Sequence, residues 1–247
     1  MKSITIINDE FSFGGFTSGN DGIWTRNVPS DPPTVDYTSL SDSLGVPLTK
    51  IVRPYQASGD IVEVVGAEHG GMGVIKDNVL KKVDGVVTAE KDIVLSVLAA
   101  DCVPIYLIDK KAEVIGLLHC GWRSAAGALV HNAVMRMKEL GASPKQIQVI
   151  TGPHICPDCY EVGEDVSKLY TEAFTSKQLD DIFTIRNNKL YLDLSEAIKA
   201  KAAAETIPAE NFSAVNCCTF HDNSLYSYRR GDRGKLNAAF LMMKLNV

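Results

Sequence analysis

Ile93-Val-Leu-Ser-Val-Leu-Ala-Ala-Asp-Cys-Val-Pro104 and Val114-Ile-Gly-Leu-Leu-His-Cys-Gly-Trp-Arg123 are two apolar runs, each ending in a polar chain reversal. Residues 93–100 are continuously apolar enough for a strand buried on both faces, and residues 114–118 read as a second one. On this reading Cys102 and His119 emerge on the same edge of one sheet. A thiol and an imidazole that close together do either metal chemistry or nucleophilic chemistry.

Working outward, residues 4–7 read as an opening strand, while residues 14–33, rich in Gly, Ser, Asp, Asn and Pro, predict an irregular loop. Within it, residues 13–20 resemble a phosphate cradle only superficially, because the Lys that follows the glycines of a P-loop is missing. Residues 39–44 predict a short helix ended by Gly45. Strands at 51–53 and 61–65 flank the turn Gln56-Ala-Ser-Gly-Asp60. Leu129, Ala133, Val134, Met137 and Leu140 recur at helical spacing, so residues 124–140 read as one amphipathic helix stopped by Gly141. Further strands are expected at 147–151, 190–194, 212–216, 225–228 and 238–243. Helices are expected at 164–174 and, with Ser195 as N-cap, at 195–205. Strands and helices mix without regular alternation, which points to an α+β fold of mixed sheets packed with helices in a single domain over residues 1–247.

The chain has 247 residues, a formal net charge of −5 and no long basic block. That balance argues against a nucleic-acid surface, which needs excess Lys and Arg to displace counterions from phosphates. No apolar run reaches the eighteen residues of a membrane span, and residues 1–10 lack the features of an export signal. A cytoplasmic chain with six reduced cysteines is the expectation. Cys156-Pro-Asp-Cys159 has the spacing of half a zinc site or of a redox pair. Its only candidate partner is the adjacent pair Cys217-Cys218, which weighs against a structural zinc, and the flanking Pro153 and Pro157 weigh against a thioredoxin-like role.

Several of these motifs occur in the order found in one family. Ala100-Asp-Cys-Val-Pro104, His119-Cys-Gly-Trp-Arg123, Gly152-Pro-His-Ile155, Cys159-Tyr-Glu-Val-Gly163, Cys218-Thr219 and Ser227-Tyr-Arg-Arg230 make the chain resemble the laccase-domain (YfiH-like) proteins. These were first called polyphenol oxidases and are now described as purine nucleoside phosphorylases and adenosine deaminases. The resemblance implies a zinc ion, or copper, held by two histidines and a cysteine, and small-molecule substrates: adenosine, inosine or methylthioadenosine together with phosphate. Cys102 and His119 stand at two of the implied ligand positions. The third departs from the family, whose histidine lies in a Gln-x-His-Gly turn between two strands, whereas Tyr55-Gln56-Ala57-Ser58-Gly59 carries Ser58 there. A second alignment places His69 on the family's histidine.

Other candidates follow from residue type. Arg123, Arg229 and Arg230 can each hold a phosphate bidentately. Asp101 can hold the His119 imidazole or a water, or cap a turn. His154 and His221 are candidates for lining the pocket, and His131 reads as structural. The expected chemistry is phosphorolysis, with an Arg-bound phosphate attacking the ribose, and deamination by a metal-activated water, which loss of a ligand at Ser58 would impair most. Without metal, Cys102 and His119 resemble the dyad of a cysteine hydrolase or amidase, and the family resemblance implies peptidoglycan precursors as substrates for such an activity. A binding protein that kept only the pocket, and a copper-dependent phenol oxidase, complete the alternatives.

Overall fold

Residues 83–88, 94–99, 103–109 and 114–120 are buried without exception, so four strands lie inside the molecule, covered on both faces. The computed structural model describes residues 3–18 and 35–244, with residues 35 and 36 described by backbone alone. In chain order its elements are β1 (Ser3–Asn8), β2 (Ser12–Thr17), α1 (Val35–Leu44), β3 (Ile51–Val52), β4 (Ile61–Val64), β5 (Val83–Thr88), β6 (Val94–Ala99), β7 (Val103–Asp109), β8 (Val114–Cys120), α2 (Trp122–Ala126) and α3 (Leu129–Glu139). There follow β9 (Gln148–Thr151), β10 (Glu161–Val162), α4 (Glu164–Ala173), α5 (Ser176–Ile182), β11 (Phe183–Arg186), β12 (Lys189–Leu192), α6 (Leu194–Ala204), β13 (Phe212–Ala214) and β14 (Asn237–Met243).

A five-stranded sheet, ordered β1-β2-β14-β6-β3, packs on a six-stranded sheet, ordered β13-β9-β7-β8-β5-β4. Alternate residues of the inner strands sort to opposite faces. Tyr106, Ile108, Ile115 and Leu117 meet Leu95, Val97, Ala239 and Leu241 of the other sheet, whereas Ile105, Leu107 and Leu118 pack beneath Leu129, Ala133 and Met137 of α3. The result is sheet on sheet with helices on the outer face of the larger sheet, an α+β architecture of mixed sheets. A small three-stranded sheet, β10-β12-β11, pairs with neither of these sheets, but its Leu192, Val162 and Phe183 pack into the core shared by the larger sheet and α3. The Tyr106 hydroxyl, buried between the two sheets, donates to Gly15 O at 2.7 Å and so joins them with a satisfied polar contact.

Several expectations are corrected. The two decisive runs lie in different sheets, β6 and β8, rather than on one sheet edge. The irregular loop expected from residue 14 gives way to β2. Its glycines are demanded by proximity, since a Cβ on Gly15 would stand 2.7 Å from the Phe240 ring of β14. Residues 13–17 therefore form a strand, not a phosphate cradle; residues 19–34 lie outside the described residues. The helix expected over 124–140 is broken into α2 and α3, because the Asp60 carboxylate docks at the break and accepts the Ala128 N–H at 2.9 Å. A Cβ on Gly127 would sit 2.4 Å from that carboxylate. The cap of α6 is Asp193, not Ser195. Residues 225–228 are irregular rather than a strand, with the Tyr226 and Ser227 N–H groups donating to the side chains of Asn237 and Asp232. Strands β5, β7 and β11 and helix α5 have no counterpart in the sequence-based expectations.

Candidate functional site

The chain crosses from one sheet to the other in three residues, 100–102. Asp101, at the crossing, has φ +80, a left-handed conformation costly for a residue with a side chain. Its carboxylate offsets that cost by accepting the Thr219 hydroxyl at 2.6 Å and the Arg229 N–H at 2.7 Å. The crossing delivers Cys102 to the start of β7, where Val103 pairs with Cys120 and Pro104 with His119. Cys102 and His119 thus meet across one antiparallel pair, and both line the same cavity.

On the other side of β8 the register pairs Gly85 with Leu118, and one further step sets Asp84 opposite His119. The fully buried Asp84 carboxylate lies 2.9 Å from His119 Nδ1. The same carboxylate accepts the N–H groups of Ala57, Ser58 and Gly59 at 3.0, 2.9 and 2.7 Å. A single acid therefore holds both the imidazole and the turn that carries Ser58, whose φ is +59. With Nδ1 occupied by Asp84, the ring's remaining nitrogen, Nε2, is the one that interacts with Cys102. Burial alone would lower the His119 pKa, but the neighbouring Cys102 and the Asp84 carboxylate raise it to about 9. Burial likewise opposes ionisation of Asp84, yet His119 and the turn amides bring its pKa below the ordinary carboxylate value.

The cavity has a volume of about 420 Å³, within the range of small-molecule sites. Ser58, Asp101, Cys102 and His119 line one part of it, together with Trp122 and Tyr160, and Arg53, Arg229 and Lys235 contribute cationic side chains. The Arg229 guanidinium lies over the Tyr160 ring at 5.0 Å and donates to Glu161 O.

The other anticipated residues have different placements. His69 is not among the lining residues, and its Nδ1 accepts the Gly66 N–H in a short 3₁₀ turn. Asp101 lines the cavity but does not hold the imidazole, a role that falls to Asp84. Arg123 is exposed on α2, stacked 3.8 Å over Trp122, and Arg230 donates to the carbonyls of Thr219, Phe220, Asp222 and Leu225 and pairs with Asp232. Neither belongs to the cavity lining. His154 is buried, with Nδ1 donating to Gly152 O at 2.7 Å and Nε2 beside the Ser195 hydroxyl at 3.2 Å, and burial lowers its pKa. His131 pairs with Glu205 on the surface.

Sequence reading misses Asp84, Arg53 and Lys235. For Asp84 a signal exists: a lone acid inside Val83-Asp-Gly-Val-Val-Thr88, where alternation places it on the same face as Val86.

The donor set does not fit the three-protein-ligand metal site implied for catalysis. Cys102 and His119 are good donors, and His119 has the carboxylate support that metal-bound imidazoles carry. The third position that the family resemblance implies, however, is occupied by Ser58, whose hydroxyl is a poor ligand for a divalent ion. Among the described residues, the set of three or more His, Cys, Asp or Glu donors that does converge is Cys156, Cys159, Cys218 and His221. The spacing of Cys156 and Cys159 suggests half of such a set, whereas nothing local to His221 marks it as a ligand, and His221, expected to line the pocket, is not among the cavity's lining residues.

Among the described residues no helix is long and apolar enough to cross a membrane. The chain is 34% identical over 197 residues to adenosine deaminase RL5 from an unknown prokaryotic organism, covering 78% of this chain and 74% of that protein. It is 32% identical over 228 residues to a purine nucleoside phosphorylase of Deinococcus radiodurans, covering 90% and 83%. Its fold is similar to the crystal structure of the hypothetical protein YfiH of Bacillus licheniformis, with a TM-score of 0.83, 26% identity and coverage of 94% and 93%. The family model described as multi-copper polyphenol oxidoreductase laccase matches residues 10–244, and with Cys102 and His119 meeting in one cavity the chain belongs to that family.

Proposed function

We propose that the chain is a purine nucleoside phosphorylase acting on adenosine, inosine or S-methyl-5′-thioadenosine, with adenosine deamination as a secondary activity. The observation that carries this reading is one cavity lined by His119, which the buried Asp84 holds from behind, together with Arg229, Lys235 and Arg53 and the rings of Trp122, Tyr160 and Tyr228. The activities named for the relatives support it.

In the mechanism the cationic side chains hold phosphate, whose oxygen attacks the ribose C1′ as the glycosidic bond breaks and its electron pair moves into the purine. His119, oriented by Asp84, donates a proton to the departing base. Charge fixed in place before the reaction lowers the barrier most, because nothing has to reorganise as the transition state forms. No step is assigned to a metal at Cys102. The family description implies copper, but one thiol and one imidazole are not the multi-copper arrangement that oxygen reduction demands, so phenol oxidation is not proposed.

A second reading has one observation in its favour: Cys102, His119 and Asp84 stand in the order of nucleophile, base and orienting carboxylate. This is the arrangement of a hydrolase or amidase. Base release from each nucleoside by the purified protein, with and without phosphate, separates the two. Phosphate-dependent formation of base and ribose-1-phosphate, abolished in His119→Ala, supports phosphorolysis. Phosphate-independent turnover with a trapped Cys102 adduct refutes it in favour of hydrolysis.

A further inference from the structure

Two turns, one after β9 and one before the Ser-Tyr-Arg-Arg segment, each present a pair of metal-binding residues three apart: Cys156 and Cys159, and Cys218 and His221. A parallel bridge between His154 and Cys218 joins the segments, with Cys217 O accepting the His154 N–H and His154 O accepting the Thr219 N–H. The four donor atoms lie within 4.8 Å of one another, and Cys159 Sγ is 3.1 Å from His221 Nε2. A tetrahedral zinc with Zn–S near 2.3 Å separates its sulfurs by about 3.8 Å, so this set needs only a small contraction to close.

Details of the backbone point the same way. The Cys218 sulfur accepts the Cys156 N–H at 3.3 Å, so the two turns are tied directly through one of the donor atoms. Arg186, which donates to Pro157 O and pairs with Asp158, adds positive charge beside a turn where a divalent ion with three thiolates would carry a net charge of −1.

We propose that Cys156, Cys159, Cys218 and His221 form a structural zinc site, closed by four protein ligands and separate from the Cys102–His119 pocket. Three protons leave as three thiols become thiolates, and His221 binds neutral through Nε2. The ion pins the turn preceding Tyr160 to the turn carrying Thr219. These are the two segments that supply a ring to the pocket and a hydrogen bond to Asp101.

The test is metal analysis of the full chain purified without chelator and reconstituted with zinc alone, together with the Cys102→Ser, Cys159→Ser and His221→Ala variants. The expected result is one tightly held zinc per chain that persists in Cys102→Ser and is lost in Cys159→Ser and His221→Ala. Substitution of cobalt into the wild-type protein should give a thiolate-to-metal charge-transfer band. Thiol alkylation with peptide mapping provides a measurement that needs no variant: Cys156, Cys159 and Cys218 should be protected until a chelator is added. The proposal is overturned if reconstituted wild-type protein holds no zinc, if its zinc survives Cys159→Ser, or if Cys156 and Cys159 are found joined as a disulfide in freshly purified metal-loaded protein.

Discussion

Replacing Asp84 with Asn keeps the shape of the side chain and removes its charge. Each carboxylate oxygen accepts two donors, Oδ1 from His119 Nδ1 and the Ser58 N–H, Oδ2 from the Ala57 and Gly59 N–H groups. An amide NH₂ on the Oδ2 side deprives the Ala57 and Gly59 N–H groups of their acceptor, and on the Oδ1 side it deprives the Ser58 N–H and forces His119 Nδ1 to give up its proton and accept, so either placement leaves one or two donors unsatisfied. At about 1–3 kcal/mol for each buried donor left without a partner, and with the turn amides partly open to water, the expected loss of stability is about 2–4 kcal/mol. Urea denaturation reads it as a lower midpoint at unchanged slope. In catalysis the variant loses the group that orients and charges His119, and a loss of about 10²–10⁴ in kcat/KM for phosphorolysis is expected. The pH profile carries a second sign. The His119 pKa is raised from 6.5 to about 9, so its contribution to stability is fully present below 6.5 and lost as pH rises through 9. The alkaline limb of activity should follow the same group, near 9 in the wild type and displaced toward 6.5 in Asp84→Asn. A variant with wild-type stability, wild-type kcat/KM and an unmoved alkaline limb would refute the role given to Asp84.

Ser58→His restores an imidazole beside Cys102 and His119, and elemental analysis should then show one additional metal per chain together with increased adenosine deamination. Unchanged metal content would mean that the turn does not aim residue 58 at those donors. Arg229→Ala should raise KM for phosphate with little change in the melting temperature. Arg230→Ala should lower stability by about 2–4 kcal/mol, since it deprives four carbonyls and Asp232 of their donor, so thermal melting separates the two neighbouring arginines. Tyr106→Phe removes the hydroxyl bonded to Gly15 O between the sheets and should cost about 1–2 kcal/mol in equilibrium unfolding, without affecting KM.

The strands β6 and β8 and the polar reversals that carry Cys102 and His119 could be read from residues 93–123 because strand character is local, but the one sheet edge expected to bring the two together could not, since they meet through β7 pairing with β8. The mixed α+β class, the amphipathic face of α3 and the candidacy of Cys102 and His119 came from such short-range patterns. The partners of that pair could not. Asp84 reaches His119 through the register between β5 and β8, and Cys159 reaches His221 because a parallel bridge joins turns 62 residues apart. Sequence periodicity records which side of a strand a residue takes, not which strand lies beside it. Pairing across long loops is selected by the packing of two whole sheets, so the carboxylate behind the imidazole and the sulfur-rich cluster beside the pocket emerged only with the folded chain.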